Sequence, residues 1–324
     1  MENPTLGSAI EVIVVTRNSA HHIGACVDSI RQERALPVIV DNASSDDTLE
    51  IVRKRCPEAM IIASPENLGY GKALNTGLIE TTGNFVILSN PDVVFRDGAV
   101  AQMANYLEEN PRVGVACPQQ VFPDGSWQRS YGELPGLWSG IKDATGITSL
   151  KNRARRYLWS RKLDRKPKTV PYVDGAVLAV RRRAFQDVDG FDEDFFFYAE
   201  EADLCARLKR AGWGVMFLPK VTVMHIRGAD SAKKDCSDRF VRLQVAGQYL
   251  LASKHLPAWK IKVYASLQVA HFERLRLTYR LLSRIKGSNR TYADKIRMFE
   301  DYSRLWKEHR EIGRLNQAET SKIS

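Results

Sequence analysis

The chain has 324 residues, 44% hydrophobic and 27% charged, with a formal net charge of +10, so it is long enough to bury a full core. Five cysteines, Cys26, Cys56, Cys117, Cys205 and Cys236, show neither paired metal spacing nor an even count, which excludes a disulfide framework and reads as reduced thiols. No leader pattern and no apolar stretch near the ~20 residues of a membrane span is present, so the expected setting is cytoplasmic, free or peripheral on the inner face of the cytoplasmic membrane.

From Ile10 the chain alternates strand and helix. Ile10–Val15, Val38–Val40, Met60–Ala63 and Phe85–Leu88 are short runs of β-branched or large apolar residues, as strands covered on both faces require. Ala20–Gln32, Asp46–Arg55 and Gly71–Thr81 read as the helices between them. The alternation predicts a parallel sheet with right-handed crossovers, whose ligands bind beyond the carboxyl ends of the strands.

Those ends carry the polar motifs. The first strand runs into Thr16-Arg17-Asn18-Ser19, without the glycine fingerprint of a dinucleotide site, which counts against a nicotinamide or flavin enzyme. The second runs into Asp41-Asn42-Ala43-Ser44-Ser45-Asp46-Asp47-Thr48, where Ser45 or Asp46 caps the next helix and Asp41 can accept hydrogen bonds from a base imide or a ribose hydroxyl. In Asn67-Leu68-Gly69-Tyr70-Gly71-Lys72-Ala73-Leu74-Asn75-Thr76-Gly77, glycines permit close backbone approach; Lys72 could face a phosphate and Asn75 a ribose or phosphate, or the glycines only shape a turn. Asn90-Pro91-Asp92 follows the fourth strand and sets a carboxylate where a hard divalent cation could bridge phosphate oxygens; an ordinary turn is the alternative.

Further on, Asp174-Gly175-Ala176 precedes a strand at Val177–Val180. Phe191–Trp213 reads FDEDFFFYAEEADLCARLKRAGW: Leu204 and Leu208 at i and i+4 and the stop at Gly212 predict a helix whose first turn holds Glu200, Glu201 and Asp203. Acids there also complement the helix dipole. Phe195–Tyr198 reads as core or as a stacking wall, and His225 follows a strand at Val221–Met224. Lys151–Lys168 and Lys254–Lys286 mix Lys and Arg with aromatic and aliphatic residues; such helices suit an anionic membrane surface, a homodimer contact or packing within the chain. No nucleic-acid recognition motif accompanies the positive charge.

In order and spacing, VIVVTRNS, VDNASSDDT, ENLGYGKALNTG, VILSNPDV, VDGAVLAVRR, GFDEDFFFYAEEADLCARLKRAGW and VTVMHIRGADS resemble the inverting glycosyltransferases of family 2, in particular the bacterial rhamnosyltransferase-like branch. The resemblance covers Ile10 to Ser231. It implies a GT-A fold, an α/β Rossmann-like nucleotide-sugar-binding sheet flanked by helices. The expected division is a catalytic domain over 8–232, with a nucleotide-binding half at 8–95 and an acceptor half at 96–232, then a basic amphipathic helical extension over 233–324.

It further implies sugar transfer with inversion from a dTDP- or UDP-linked donor, L-rhamnose from dTDP-rhamnose being the best match, to a hydroxyl of a glycan or polyprenyl-diphosphate-linked acceptor. Thr16, Arg17, Asn18, Asp41, Asn67, Gly69, Lys72, Asn75 and Asn90 would surround the nucleotide, and Asp92 with His225 would hold Mg²⁺ or Mn²⁺. Asn90 stands where the family's Asp-x-Asp motif has its first aspartate, leaving one less negative charge for the cation. Glu201 is the base expected from the family's acidic pair, with Glu200 second and Asp203 orienting the acceptor or bracing the loop; Asp174, Gly175, Ala176 and Tyr198 would lie near sugar and acceptor. Two other classes compete. A nucleotidyltransferase would carry a Gly-rich basic segment after strand one, and a non-catalytic binding relative would have lost the acids at 92 and 200–203.

Overall fold

The computed structural model describes residues 10–160, 166–226, 237–287 and 290–312, and these form two compact units. Cys236, Arg227–Ser231 of the last motif and 161–165 of the first basic stretch lie outside the described residues.

The first unit comprises the described residues of Met1–Gly132, Leu158–Glu193 and Glu201–Asp230. Its strands are β1 (Glu11–Thr16), β2 (Leu36–Asn42), β3 (Met60–Ser64), β4 (Phe85–Ser89), β5 (Val93–Val94), β6 (Val113–Val121), β7 (Tyr131–Gly132), β8 (Lys168–Thr169), β9 (Tyr172–Val173), β10 (Val177–Arg181) and β11 (Gly214–His225). Its helices are α1 (Ala20–Gln32), α2 (Thr48–Arg55), α3 (Tyr70–Glu80), α4 (Ala99–Glu109) and the short α7 (Arg182–Gln186). Among the described residues one nine-stranded sheet has the order β3-β2-β1-β4-β10-β6-β11-β5, with β8 added on β11.

Strands β3, β2, β1 and β4 are parallel, as the alternation predicts. The sheet as a whole is mixed: β10 runs antiparallel to both β4 and β6. The reason is where β10 begins. The Asn90 amide donates to the Ala176 carbonyl (2.9 Å), so the Asp174–Ala176 turn starts β10 at the carboxyl end of β4. A parallel strand would have sent that turn to the opposite edge. The final strand is also longer than Val221–Met224, because it starts at Gly214, directly after the helix stop at Gly212 (φ +87°), and pairs along β6.

Alternation on β1 sends its residues to two layers. Val12 and Val14 join Ile23, Val27, Ile30, Ile39 and Val52 in the main core beneath α1 and α2. Ile13 faces α3, whose Gly77 lies so close that an added Cβ would sit 2.8 Å from Ile13 Cγ2 and 2.9 Å from Val40 Cγ2. The last glycine of the Asn67–Gly77 motif is thus a packing residue.

The second unit comprises the described residues of Glu133–Tyr157, Asp194–Glu200 and Ser231–Ser324. It contains α5 (Leu137–Thr145) and most of α6 (Ile147–Ser160); α8 (Glu200–Arg210) begins at its boundary. Three helices follow, α9 (Ser237–His255), α10 (Ala258–Lys286) and α11 (Arg290–Ile312). The Lys254–Lys286 stretch is therefore two helices, broken at Pro257, where no backbone N–H is available to continue the first. Val241, Val245, Tyr249, Tyr264, Leu305 and Trp306 form their shared core, so part of the aromatic and aliphatic content of that stretch is internal. Helix α5 is fixed to α10: His271 Nδ1 lies 2.6 Å from the Asp143 carbonyl, and Arg274 donates to the Asp143 and Ala144 carbonyls at the helix end.

Candidate active site

Strand order reverses between β1 and β4, the place where open α/β sheets bind ligands. Thr16 and Asp41 are register partners at the tips of β1 and β2, and both are buried. Thr16 Oγ1 donates to Asp41 Oδ1 (2.8 Å); Ser44 donates its amide to Oδ2 (2.9 Å) and its hydroxyl to Oδ1 (2.5 Å). The return to Ser44 passes through Ala43 in the left-handed region, φ +57°. Asn18, likewise left-handed, accepts the Ser45 amide on Oδ1 (2.8 Å) and so ties the two strand-end loops together. Arg17 is exposed beside them. Asp46, not Ser45, meets the start of α2, accepting from the Thr48 amide.

The glycine loop is held from β2 by Asn42, which no motif reading singled out. Asn42 Nδ2 donates to the Gly69 carbonyl (3.0 Å) and Oδ1 accepts the Leu68 amide (3.2 Å). Asn67 Oδ1 accepts the Gly69 amide (3.1 Å), and Gly69 itself, at φ +83°, is in a conformation that demands glycine. Lys72 and Asn75, one turn apart on α3, both turn to the segment opening at Phe191. Lys72 lies 3.6 Å from Glu193. Asn75, expected beside ribose or phosphate, instead accepts the Phe191 amide (2.9 Å) and donates to the Phe191 carbonyl (2.9 Å) and Glu193 (3.2 Å). Its amide is spent on the approach to the acidic helix.

At the end of β4, Asp92 is 8% exposed and lies 3.3 Å from His225 Nε2, because β5 pairs antiparallel with the end of β11. His225 Nδ1 faces two amide oxygens, Gln120 Oε1 at 3.0 Å and Gln128 Oε1 at 3.2 Å. Each amide is oriented by its nitrogen: Gln128 donates to the His225 carbonyl and Gln120 to the Asp174 carbonyl (3.5 Å). Two acceptors on Nδ1 place a proton there and fix the ring so that Nε2 faces Asp92, to which it donates whenever it too carries a proton. Burial pushes the Asp92 carboxyl up, but the hydrogen bond and charge of His225 outweigh it and hold the group below its ordinary range. Gln120 and Gln128 escaped the motif reading. The signal was the Gln119-Gln120 pair at fully buried positions of an apolar strand, where a polar side chain needs a partner.

Among the described residues no group of three or more His, Cys, Asp and Glu side chains gathers as a metal cluster. One carboxylate and one oriented imidazole is nevertheless a donor set that suits a divalent cation sharing phosphate oxygens and water.

Helix α8 starts at Glu200, as the spacing predicts, and ends at Arg210, with Gly212 just beyond as its stop. Glu201 and Asp203 belong to the first unit, Tyr198 and Glu200 to the second. Glu201 lies over Gly175: a Cβ built there would be 3.4 Å from Glu201 Cγ and 3.5 Å from its Cδ. Tyr70 donates its hydroxyl to the Gly175 carbonyl (3.3 Å). Asp203 is buried and accepts from Arg207 Nε (2.6 Å), while Arg207 Nη1 donates to the Val188 and Gly190 carbonyls; of its two expected roles, bracing the loop is the one its contacts describe.

Phe195 is core, and Tyr198 packs edge-on against Phe197 and Phe240 rather than standing as an open wall. Tyr198 and Ala199 are consecutive non-glycine residues in the left-handed region, φ +72° and +74°. Helix α9 backs them so closely that a Cβ on Gly247 would meet the Tyr198 carbonyl oxygen at 2.3 Å. Glu200 is 5% exposed, and its Oε2 has no hydrogen-bond partner among the described residues.

Burial pushes the Glu200 carboxyl up to about 7, against the smaller opposing effect of a backbone hydrogen bond. A raised folded-state value means that the stabilisation is complete below the ordinary value of 4.5 and is lost as pH rises through about 7. Glu200→Gln abolishes that window. Its stability relative to the parent should climb by on the order of 3 kcal/mol between pH 5 and pH 8 in denaturant titrations. A pH-independent difference would refute the perturbed carboxyl.

Residues 11–189 match the family model of glycosyl transferase family 2. The chain is 29% identical over 266 residues to an N-acetylglucosaminyl-diphospho-decaprenol L-rhamnosyltransferase of Mycobacterium tuberculosis, spanning 78% of this chain and 86% of that one. It is 22% identical over 232 residues to the dTDP-rhamnosyl transferase RfbF of Shigella flexneri, spanning 70% and 72%. Among solved structures, the mannosyltransferase PcManGT from Pyrobaculum calidifontis, in complex with GDP-Man and Mn²⁺, shares the fold with a TM-score of 0.57 at 18% identity, over 95% of this chain and 88% of that one. The chain belongs to glycosyl transferase family 2 and is a glycosyltransferase of GT-A fold.

Proposed function

We propose that this enzyme moves L-rhamnose from dTDP-rhamnose to a hydroxyl of a glycan or polyprenyl-diphosphate-linked acceptor, with inversion at the anomeric carbon, in cell-surface polysaccharide synthesis. The observation that carries the reading is the Asp92–His225 pair, oriented by Gln120 and Gln128 at the switch point of the sheet. The rhamnosyl transfer named for two relatives, one of them with a dTDP-rhamnosyl donor, supports the choice of sugar.

In this reading Asp41 and Thr16 meet the base and ribose, with Arg17, Asn18, Asn67, Gly69 and Asn90 around them. Asp92 and His225 hold Mg²⁺ or Mn²⁺, which, when bound, would offset the negative charge of the departing diphosphate. Glu201 takes the proton of the acceptor hydroxyl as its oxygen forms the new bond to the anomeric carbon. The bond to the diphosphate breaks on the opposite face, which inverts the centre. Gly175 packs against the Glu201 side chain, and the Asp174–Ala176 turn adjoins sugar and acceptor. Asp203 works indirectly, by fixing Arg207 against the loop at Val188 and Gly190.

A thermal-shift panel of dTDP, UDP, GDP and NAD, each with and without Mg²⁺ or Mn²⁺, tests the site. A pyrimidine diphosphate at ~100 times its dissociation constant should stabilise the protein by ~2.7 kcal/mol, with metal required for the full effect. A larger response to dTDP than to UDP selects the donor base. No response to either, with metal present, rejects the nucleotide site.

A further inference from the structure

Helix α6 is amphipathic in sequence, yet among the described residues none of α6 is buried. Ile147, Leu150, Ala154 and Tyr157, at i, i+3, i+7 and i+10, all face solvent, Leu150 with 64% of its surface open. Lys151, Arg153, Arg155 and Arg156 share the helix, which contains no acidic residue. The pattern recurs in the same unit. Trp138 on α5 is 75% exposed, and Leu277, Leu281 and Ile285 form an open stripe near the end of α10, interleaved with Arg280, Arg284 and Lys286. Helix α5 is bound to α10 through Asp143 and Ala144, and α6 follows it immediately after Gly146.

We infer that α6, with the exposed stripes of α5 and α10, is a docking surface for an anionic lipid bilayer. An apolar stripe ringed by cations is the makeup of a helix lying in the headgroup region, with aliphatic side chains at the acyl boundary and Lys and Arg at the phosphates. Other occupants fit less well. A second copy meeting α6 about a two-fold axis would set the four cations of one helix against those of the other, with no carboxylate on either helix and only Glu133, at Lys151 (3.3 Å), beside them. A nucleic acid would use the charge but leave Ile147, Leu150 and Trp138 in water. The inference does not depend on which sugar the enzyme transfers.

Flotation of the full chain with vesicles of phosphatidylcholine alone, and with one-third phosphatidylglycerol, decides it. Binding is expected only to the anionic vesicles. Arg153→Gln with Arg156→Gln should reduce the partition coefficient about 5-fold per arginine, ~30-fold together. Ile147→Ser with Leu150→Ser should reduce it by at least ~10-fold without changing net charge. Arg53→Gln with Lys54→Gln, removing the same charge from exposed positions of α2, should leave it unchanged. All these positions are exposed, and unaltered thermal melting verifies that each variant folds. Three results would overturn the inference: no flotation with anionic vesicles, equal loss in the α2 control, or a concentration-dependent dimer in light scattering that Ile147→Ser with Leu150→Ser dissolves.

Discussion

Glu201→Gln is expected to reduce kcat for sugar transfer by ~10²–10⁴, the range for losing a general base, while dTDP binding stays within a few-fold of the parent. Gln keeps the size and the packing over Gly175 but cannot accept a proton. The substitution therefore separates chemistry from architecture. Glu200→Gln is the control for its neighbour. Glu200 is sealed, with one carboxyl oxygen unpartnered, whereas Glu201 is only partly buried and lies beside the Asp174–Ala176 turn. A smaller kinetic effect at Glu200 than at Glu201 supports the assignment, and the reverse order moves the base one residue back. Initial rates at saturating donor and varied acceptor provide the comparison.

Asp92→Asn is expected to abolish the metal-dependent part of nucleotide stabilisation and to lower transfer by at least ~10². Asparagine preserves shape but removes the charge that sets Asp92 apart from Asn90 two residues earlier. Because Asn90 already supplies only a neutral oxygen, nothing else in the Asn-Pro-Asp segment can replace the lost carboxylate. His225 would remain oriented by its two glutamines, so loss of metal response together with an intact fold would trace to the carboxylate itself. Calorimetric titration of Mn²⁺ in the presence of dTDP measures it. Undiminished metal affinity in the variant would remove Asp92 from the cation site.

Much of this was legible in sequence because it is local. Strands β1, β2 and β4 are nearly continuous buried runs, whereas β3, at the sheet edge, is partly open and not covered on both faces as its apolar run suggested; the α8 boundaries follow from the leucine spacing and Gly212. The antiparallel course of β10 was not legible, since periodicity reveals a strand but carries no direction. The orientation of Asn75 was also hidden: a helix position predicts a face, not the backbone segment of Phe191 that arrives there from far along the chain. Gln120 and Gln128 illustrate a third kind of omission. Their partner, His225, is distant in sequence; a glutamine pair in an apolar strand hinted at Gln120, and nothing local marked Gln128 in the loop after β6. The basic stretches divided by environment, with Tyr264 entering a helical core while Leu277 and Leu281 stayed outside.

The pairing of β5 with the end of β11 bears on the order of events during synthesis. Strands β1 to β4 can meet soon after they leave the ribosome, since each crossover between them is short. Asp92 emerges with them, yet it must wait for His225 until nearly the whole sheet has been made. Contacts so remote along the chain slow folding more than they weaken the final state. Capacity to hold a cation should consequently be among the last properties a refolding population regains, well after its far-ultraviolet signal has recovered.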